Sequence, residues 1–282
     1  WDGNNSIFND LLERHLFNTT LSGMQPKVVV QSDKASLMRP DLIIKTGGDD
    51  YPKLALNEFI CMKLAKLAGL ETPNFWLSDN RDLFIMDRFD LVDDKVLGME
   101  DFTVLMGRSS EDKYLGSYEN AAKVVSMYTK DANCVQKFFE YVAFSCLVGN
   151  GDAHLKNFSL LYSSTKERSW LSPIYDVVCT QAYEVEAKTL ALKLNADNKF
   201  PGRESILRFA KNINIKNAEE TLDRLASTVN EQLEKIEELN EFPELKKILK
   251  GSVSHSIALN SSQIGYTNLR KGHKKRKTDK LL

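Results

Sequence analysis

The residues with the clearest chemical potential lie between Gly149 and Asn157, in the sequence GNGDAHLKN. Asp152 precedes Asn157 by five residues, which is the spacing of a phosphotransferase catalytic loop. Asp152 could orient an acceptor hydroxyl and take its proton, and Lys156 could neutralise charge on the transferred phosphoryl group. Asn157 offers a neutral oxygen to Mg²⁺. Because Asn-Gly-Asp is also common in turns, the motif alone leaves an ordinary polar turn open.

A second carboxylate, Asp176, follows Asn157 by nineteen residues and closes the sequence PIYD. Residues 170–179 (WLSPIYDVVC) are predicted to form a strand, so Asp176 would stand at a strand end. Kinases carry a metal-binding aspartate after the hairpin that follows the catalytic loop, and a carboxylate is a hard oxygen ligand that suits Mg²⁺. The alternative is that Asp176 merely ends the strand.

A short glycine-containing loop with the sequence SGMQPK lies far upstream. Its residues are Ser22, Gly23, Met24, Gln25, Pro26 and Lys27. Such a loop can turn backbone N–H groups toward phosphate. It matches neither the Walker A pattern nor GxGxxG, however, and a structural turn is the alternative.

Lys45 closes the apolar sequence LIIK, from which it could reach the α- and β-phosphates of a nucleotide. Glu58, in the next predicted helix, could hold Lys45 by an ion pair. Either residue could also be a solvated surface charge. The order along the chain favours the functional reading, because glycine loop, strand lysine, helix glutamate, catalytic loop and metal loop follow one another as in kinases.

Residues 84–90 (FIMDRFD) would then form the hinge between two lobes. The candidate nucleotide-binding residues there are Asp87, Arg88 and Phe89. Backbone groups at Asp87 and Phe89 could hydrogen-bond adenine.

The elements that position these residues follow from hydrophobic periodicity. A short helix is predicted at 7–17. Before Asp90 the pattern then predicts strands at 28–30 and 42–45, a helix at 54–70, and a hairpin of strands 75–77 and 83–86. This order builds an antiparallel sheet with one packed helix. Beyond Asp90 the chain is mainly helical, over 118–148 and from 203 onward, with strands ending near 162 and 179.

The fold class that follows is α+β, in a bilobal, protein-kinase-like arrangement. Residues 1–90 would form the small lobe, 91–269 the larger helical lobe and 270–282 a basic tail. Seven of the residues from Arg270 to Lys280 are Lys or Arg, which is typical of a solvated, mobile tail. Contact with nucleic acid or an acidic partner is the alternative, but no helix-turn-helix context accompanies the run, so direct nucleic-acid binding is not expected.

Composition excludes several other classes of protein. The 282 residues are 42% hydrophobic and 27% charged with a net charge of −1, as in an ordinary globular protein. The four cysteines (Cys61, Cys134, Cys146, Cys179) lack metal-binding spacing and suit a reducing compartment. No apolar stretch approaches the roughly 18 residues of a membrane span, and no signal peptide is present, so a cytoplasmic location is expected. The first residue is Trp1, which suggests a trimmed N-terminus.

Together, SGMQPK, LIIK, MDRFD, NGDAHLKN and PIYD resemble the kinase core of the HipA toxins, from about Leu21 to Thr180. The resemblance implies a bilobal serine/threonine kinase that uses ATP and Mg²⁺. It implies Asp152 as the catalytic base and Asn157 and Asp176 as Mg²⁺ ligands. The ATP-binding residues that it implies are Ser22 to Lys27, Lys45 and Asp87 to Phe89, with His154 and Lys156 near the phosphates.

The resemblance also implies biological partners. Kinases of this family phosphorylate aminoacyl-tRNA synthetases, which halts translation, and a small DNA-binding antitoxin restrains them. HipA proteins carry an additional domain before the glycine loop, whereas only 21 residues precede it here. This chain is therefore similar to the short HipT form, whose antitoxin is a separate protein like the missing domain and whose substrate is tryptophanyl-tRNA synthetase. Autophosphorylation just before the glycine is implied at Thr20 and Ser22, which could instead only cap the turn.

Two other classes of function remain open from the sequence. One is a small-molecule phosphotransferase of similar fold, for which no residue pattern names a substrate. The other is an inactive kinase-like binding module. The joint presence of Lys45, Asp152, Asn157 and Asp176 argues against it. The oligomeric state and the identity of the protein substrate do not follow from the sequence.

Overall fold

The structure, a computed structural model, describes residues 27–30, 41–48, 51–92, 95–163, 168–183 and 189–258. Several predicted features lie outside these residues. They are the helix 7–17, Thr20, the glycine-loop residues Ser22 to Pro26, and the tail 270–282. Lys27 is described only as the first residue of a strand.

The small lobe is a four-stranded antiparallel sheet in the order β1-β2-β4-β3. The strands are β1 Lys27–Val30, β2 Leu42–Thr46, β3 Phe75–Leu77 and β4 Leu83–Asp87. One helix, α1 Leu54–Leu67, packs against β2, β3 and β4. The predicted order of two strands, a helix and a hairpin is thus confirmed for the described residues.

The sequence of α1 explains its place in this lobe. Its apolar residues recur at helical spacing and are buried, among them Leu56, Ile60 and Leu64. Gly69 follows the helix at φ 79°, in the left-handed region that glycine adopts without a steric penalty. The helix consequently ends three residues earlier than the predicted residue 70.

The larger lobe is built around helices. They are α2 Phe102–Leu105, α3 Tyr118–Thr129, α4 Ala132–Leu147, α5 Arg203–Asn212, α6 Ala218–Gln232 and α7 Pro243–Ile257. The buried helix α4 contacts α3, α6 and α7. The stretch 118–148, predicted to be helical, consists of the two helices α3 and α4. Lys130 has a left-handed backbone (φ 52°) that ends α3, and Asp131 caps α4 by accepting from the Asn133 N–H.

Short sheets complete the larger lobe. Two are hairpins, β5 Leu91–Val92 with β6 Lys95–Val96 and β10 Thr189–Leu194 with β11 Asp197–Lys199. The third has the order β7-β8-β9, with β7 Gly98–Asp101, β8 Ser159–Tyr162 and β9 Ser169–Leu171. Sequence periodicity identified β8, but it missed β5, β6, β7, β10 and β11.

The predicted strand 170–179 is also corrected by the structure. The strand ends at Leu171, so Asp176 does not stand at a strand end. Pro173 has no backbone N–H to donate to a ladder, and Ile174 donates its N–H to the Glu71 carbonyl (2.8 Å). At Asp176 itself φ is 59°, which no extended strand permits.

One hydrophobic core joins α1 to the helices of the larger lobe. Buried phenylalanines of α4 and the β7-β8-β9 layer meet in it, with the rings of Phe138 and Phe158 centred 5.0 Å apart. The last strand of the small sheet ends at Asp87, and the division at residue 90 stays a prediction. Within the described part of the chain, none of the helices has the length and apolar character that crossing a membrane requires.

Candidate active site

Three charged side chains from distant parts of the sequence meet between the lobes. Lys45, at the end of β2, places its Nζ 2.5 Å from Glu58 Oε1 and 2.7 Å from Asp176 Oδ1. Lys45 is 2% exposed and Glu58 is fully buried, so neither is the solvated surface charge considered above. The ion pair proposed between β2 and α1 is therefore present, and Asp176 joins it from the other lobe.

The protonation of Lys45 follows from these neighbours. Burial by itself disfavours the ammonium form, but Asp176 and Glu58 outweigh it and raise the Lys45 pKa well above its ordinary value. Lys45 is consequently a fixed cation at any physiological pH. A fixed cation in a dry site attracts phosphate oxygens strongly because little solvent screens it.

Asp176 links the lysine to the catalytic loop. Its Oδ2 accepts a hydrogen bond from Asn157 Nδ2 (2.8 Å), while its Oδ1 meets Lys45. The left-handed backbone of this non-glycine residue is an uncommon conformation that recurs at functional sites. It turns the carboxylate into the cleft.

The catalytic loop is held in place by hydrogen bonds to neighbouring elements. The 3₁₀ turn Leu155–Asn157 forms its last three residues. Tyr118 donates to the Ala153 carbonyl (2.9 Å), and the Gly151 N–H donates to Thr180 Oγ1 (2.8 Å). Gly149 begins the loop at φ 70°, where a Cβ would also lie 3.1 Å from Gln181. These contacts fix the loop backbone against Tyr118 and Thr180.

The two charged residues of the loop face a neighbouring turn. Asp152 Oδ1 accepts a hydrogen bond from the Tyr114 hydroxyl (2.9 Å). Lys156 Nζ donates to Ser110 Oγ (2.9 Å) and lies 4.0 Å from Asp101 Oδ2. Both charges are thus at a surface that a second molecule can approach, unlike the buried Lys45.

His154 is a neutral group in this site. It is 6% exposed, and burial, followed by the charge of Lys113, lowers its pKa to about 4. Its Nδ1 is buried without a hydrogen-bond partner among the described residues. Its backbone N–H points to the Asp152 carbonyl (2.7 Å) and to Asn157 Oδ1 (3.0 Å).

The hinge residues border the same cleft. Asp87 donates its backbone N–H to the Asn74 carbonyl (2.9 Å), and Arg88 donates its own to the Asp41 carbonyl (2.8 Å). Adenine would have to use other backbone groups of this segment. The Phe89 ring packs against Tyr175, with centroids 5.1 Å apart, which brings the hinge beside the metal loop.

Sequence reasoning missed two residues that organise the site. Asn57 is fully buried in α1, where it accepts from the Cys179 N–H (2.9 Å) and donates to the Cys179 carbonyl (3.1 Å). Tyr175 donates to the Lys156 carbonyl (2.8 Å) and shares a 2.7 Å hydrogen bond with Ser159. A polar residue within the otherwise apolar start of α1 was the available signal for Asn57.

The oxygen donors for a metal ion are the Asp176 carboxylate and the Asn157 amide. No group of three or more His, Cys, Asp or Glu residues in the described ranges could hold a metal alone. Mg²⁺ in phosphotransferases commonly binds one or two protein oxygens plus substrate phosphates, so this pair fits an ion that arrives with a nucleotide. Asn157 Oδ1 already accepts from His154, and its second lone pair would meet the ion.

The structure thus brings Lys45, Asn157 and Asp176 into one hydrogen-bonded network, with Asp152 and Lys156 on the adjoining loop. Lys27, the first residue of β1, is the backbone partner of Lys45 in β2. The residues Ser22 to Pro26 lie outside the described part of the chain.

Comparisons with known proteins agree with this geometry. The family described as the HipA-like C-terminal domain matches residues 19–235. A protein of Sinorhizobium fredii named as a candidate kinase is 31% identical over 172 residues. The match covers 56% of this chain and 42% of that protein, so this chain spans less than half of its relative's length.

Two solved structures share the fold. The first is the Shewanella oneidensis toxin–antitoxin system HipA, HipB and its operator DNA, with a TM-score of 0.70 and 20% identity over 84% of this chain and 64% of that chain. The second is the proinflammatory kinase CtkA of Helicobacter pylori, with a TM-score of 0.54 and 15% identity over 82% and 90%. The predicted bilobal, kinase-like α+β fold is therefore confirmed.

Proposed function

This chain belongs to the family of HipA-like C-terminal domains, and from that premise we propose that it is an ATP- and Mg²⁺-dependent protein serine/threonine kinase. The observation that carries the proposal is the contact of Lys45 with both Glu58 and Asp176, beside a loop that presents Asp152. A phosphotransferase needs a fixed cation for the nucleotide phosphates, oxygen ligands for a metal and a base for the acceptor.

The proposed reaction assigns one task to each side chain. An acceptor hydroxyl attacks the γ-phosphorus of ATP, the bond to the β-phosphate oxygen breaks, and ADP leaves. The hydroxyl proton passes to Asp152, while Lys45 holds the α- and β-phosphates and Lys156 neutralises the transferred group. Asn157 and Asp176 would hold Mg²⁺, which when bound offsets the charge of the phosphates.

The remaining nucleotide contacts are proposed from the family resemblance and from position. Ser22 to Lys27 would cover the phosphates with backbone N–H groups, and the backbone at Asp87 to Phe89 would meet adenine. His154 would stand near the phosphates. The pairing of Lys27 with Lys45 across β1 and β2 supports the first of these assignments, because Lys27 is the last residue of the sequence SGMQPK.

The decisive experiment is phosphorylation of a bacterial lysate with radiolabelled ATP, followed by mass spectrometry of the labelled protein. Asp152→Asn keeps the shape of the base but removes its basicity, so transfer should fall by about 10²- to 10⁴-fold with nucleotide binding retained. Asp176→Asn should also weaken Mg²⁺-dependent nucleotide binding. Asp79→Asn, in the exposed β3–β4 hairpin, is the matched control and should behave as wild type.

Transfer at the wild-type rate by Asp152→Asn would disprove the assignment of the catalytic loop. Label found only on a small metabolite would instead identify a small-molecule phosphotransferase. ATP binding with no transfer to any lysate component would identify an inactive binding module.

As its cellular role we propose a toxin that phosphorylates an aminoacyl-tRNA synthetase in the cytoplasm, with tryptophanyl-tRNA synthetase as the first candidate. Two findings support this role: the chain belongs to the HipA-like C-terminal domain family, and its fold is similar to that of a HipA toxin solved with HipB and operator DNA. We further propose residues 1–90, 91–269 and 270–282 as small lobe, large lobe and tail.

A separate small protein resembling the additional HipA domain would then bind the small lobe beside the glycine loop, and a DNA-binding antitoxin could join it. Co-purification with the products of neighbouring genes tests this. Failure to recover any partner that contacts the small lobe would count against it.

Self-regulation at Thr20 and Ser22 is proposed on charge and position. A phosphate adds about −1.5 to −2 charges at neutral pH, so a phosphorylated glycine loop and bound ATP should exclude each other. Intact-mass measurement after incubation with ATP and Mg²⁺ should find phosphate at Thr20 or Ser22 in wild type and none in Asp152→Asn. Phosphate only elsewhere, or none on an enzyme that modifies its substrate, would refute the proposal.

A further inference from the structure

The turn Ser110–Tyr114 lies across the catalytic loop and contacts both of its charged side chains. Its first residue, Ser110, accepts a hydrogen bond from Lys156 Nζ (2.9 Å). Its last residue, Tyr114, donates from its hydroxyl to Asp152 Oδ1 (2.9 Å). One short segment therefore places a hydroxyl group on each of the two loop residues that phosphoryl transfer would use.

These contacts have the chemistry of a bound acceptor. A substrate serine or threonine must donate its hydroxyl proton to the base before transfer, as Tyr114 donates to Asp152 here. Lys156 is engaged by a second hydroxyl from the same turn. An incoming hydroxyl and the Tyr114 hydroxyl would compete for the Asp152 carboxylate.

The turn is held by its own contacts and by its flanks. Ser109 Oγ donates to Asp112 Oδ2 (2.9 Å), and the Leu115 N–H donates to the Asp112 carbonyl (2.9 Å). None of the residues Ser110–Tyr114 is buried, and the Tyr114 side chain is 45% exposed. Gly107 (φ 64°) and Gly116 (φ 133°) flank the turn with backbone conformations that non-glycine residues rarely adopt. The segment could leave the loop without exposing a packed core.

We propose that the turn Ser110–Tyr114 occupies the acceptor subsite as an internal substitute for the protein substrate, with the Tyr114 hydroxyl in the place of the acceptor hydroxyl. The inference rests on the proposed kinase function. Tyr114 then helps to determine specificity, because an acceptor must displace it to reach Asp152. Water and small alcohols lack the additional contacts needed for that displacement, so the turn suppresses futile ATP hydrolysis.

Tyr114→Phe is the sharpest test because it removes only the hydroxyl. The ring keeps its edge contact with His154 (5.2 Å between centroids) and its contact with Lys113 (4.8 Å from Nζ to the centroid). Tyr128→Phe is the matched control, since Tyr128 is similarly exposed (47%) and its hydroxyl meets the Leu105 carbonyl instead of the catalytic loop.

The measurement is ADP formation from Mg·ATP, without a protein acceptor and with casein at varied concentration. A hydrogen bond to a charged group corresponds to about 10- to 150-fold in an equilibrium. Tyr114→Phe should therefore lower the KM for casein and raise acceptor-free ADP formation, each by at least about tenfold, with kcat for casein little changed. Ser110→Ala should act in the same direction with a smaller effect, and it tests the turn independently if Tyr114→Phe fails to fold.

The contrary results are distinct. Unchanged KM and unchanged acceptor-free ADP formation in both variants would overturn the inference while leaving the kinase function intact. A fall in kcat at constant KM would also overturn it, and would make Tyr114 a residue that orients Asp152. Absence of ADP formation in every variant and of transfer to lysate proteins would refute the proposed function, and the inference with it.

Discussion

Replacing Lys45 with methionine should destabilise the protein more than almost any other single change at the site. Methionine keeps an unbranched apolar stem but removes the ammonium group, with its charge and its two hydrogen bonds. Glu58 is fully buried and would remain as a carboxylate without its lysine. Removing one partner of a buried ion pair costs about 3–5 kcal/mol, because the other charge stays desolvated.

The pair as a whole should contribute far less than this figure. Both charges lose hydration when they are buried, and apolar replacement of a complete buried pair is often nearly neutral. The double variant Lys45→Met/Glu58→Leu should therefore recover most of the stability lost by Lys45→Met alone. Asp176 loses the same lysine in both variants, but its side chain is 26% exposed and water can solvate it.

Urea unfolding of the wild type and the variants measures these effects as changes in midpoint at constant m-value. Lys63→Met is the control, because Lys63 pairs with Glu238 at a similar distance (2.7 Å) but is about one-third exposed. Such a pair contributes up to about 1 kcal/mol. A loss of less than about 1 kcal/mol for Lys45→Met, or no recovery in the double variant, would refute the reasoning from burial.

Three further predictions concern the frame around the site. Asn57→Ala leaves two buried backbone groups of Cys179 without their amide, so the free energy of unfolding should fall by about 2–4 kcal/mol, measured by denaturant titration. Gly149→Ala should lower the free energy of unfolding by about 1–2 kcal/mol, because L-residues disfavour φ 70° and the Cβ would crowd Gln181. An unchanged thermal midpoint would contradict this prediction. All four cysteines are buried and burial raises the Cys146 pKa to about 12, so a thiol reagent at pH 8 should label them only after denaturant is added.

The small lobe could be predicted from sequence because its signals are local. The helical period of α1 and the short apolar runs of β2, β3 and β4 each lie within a few residues. The hairpin that pairs β3 with β4 was predicted, whereas the pairing of β2 with β4 was not. The strands of the larger lobe gave no comparable signal, since β5 and β6 are two residues each and β11 is fully exposed.

The site itself was predictable only where residue type and order sufficed. Lys45 and Glu58 were paired correctly because a strand and the helix that follows it pack together. Asp176 was predicted to stand at a strand end because the residues around it are apolar. This apolar run gives no sign of the left-handed backbone at Asp176, which is seen only together with the contacts of its carboxylate. The approach of Tyr114 to Asp152 joins residues 38 positions apart through an irregular turn, for which no periodicity exists.

The hydrogen bonds between Asn57 and Cys179 restrict displacement of α1, which bears on how the proposed activity could be regulated. In protein kinases, activity is commonly controlled by displacement of the helix that carries the glutamate of the lysine–glutamate pair. In this protein Asn57, which precedes Glu58, is hydrogen-bonded to both the N–H and the carbonyl of buried Cys179 in the larger lobe. Swinging α1 outward would break both hydrogen bonds in a dry environment, at about 1–3 kcal/mol for each group left unsatisfied. We therefore expect the proposed kinase activity to be controlled by groups that enter or leave the cleft, with α1 kept in place.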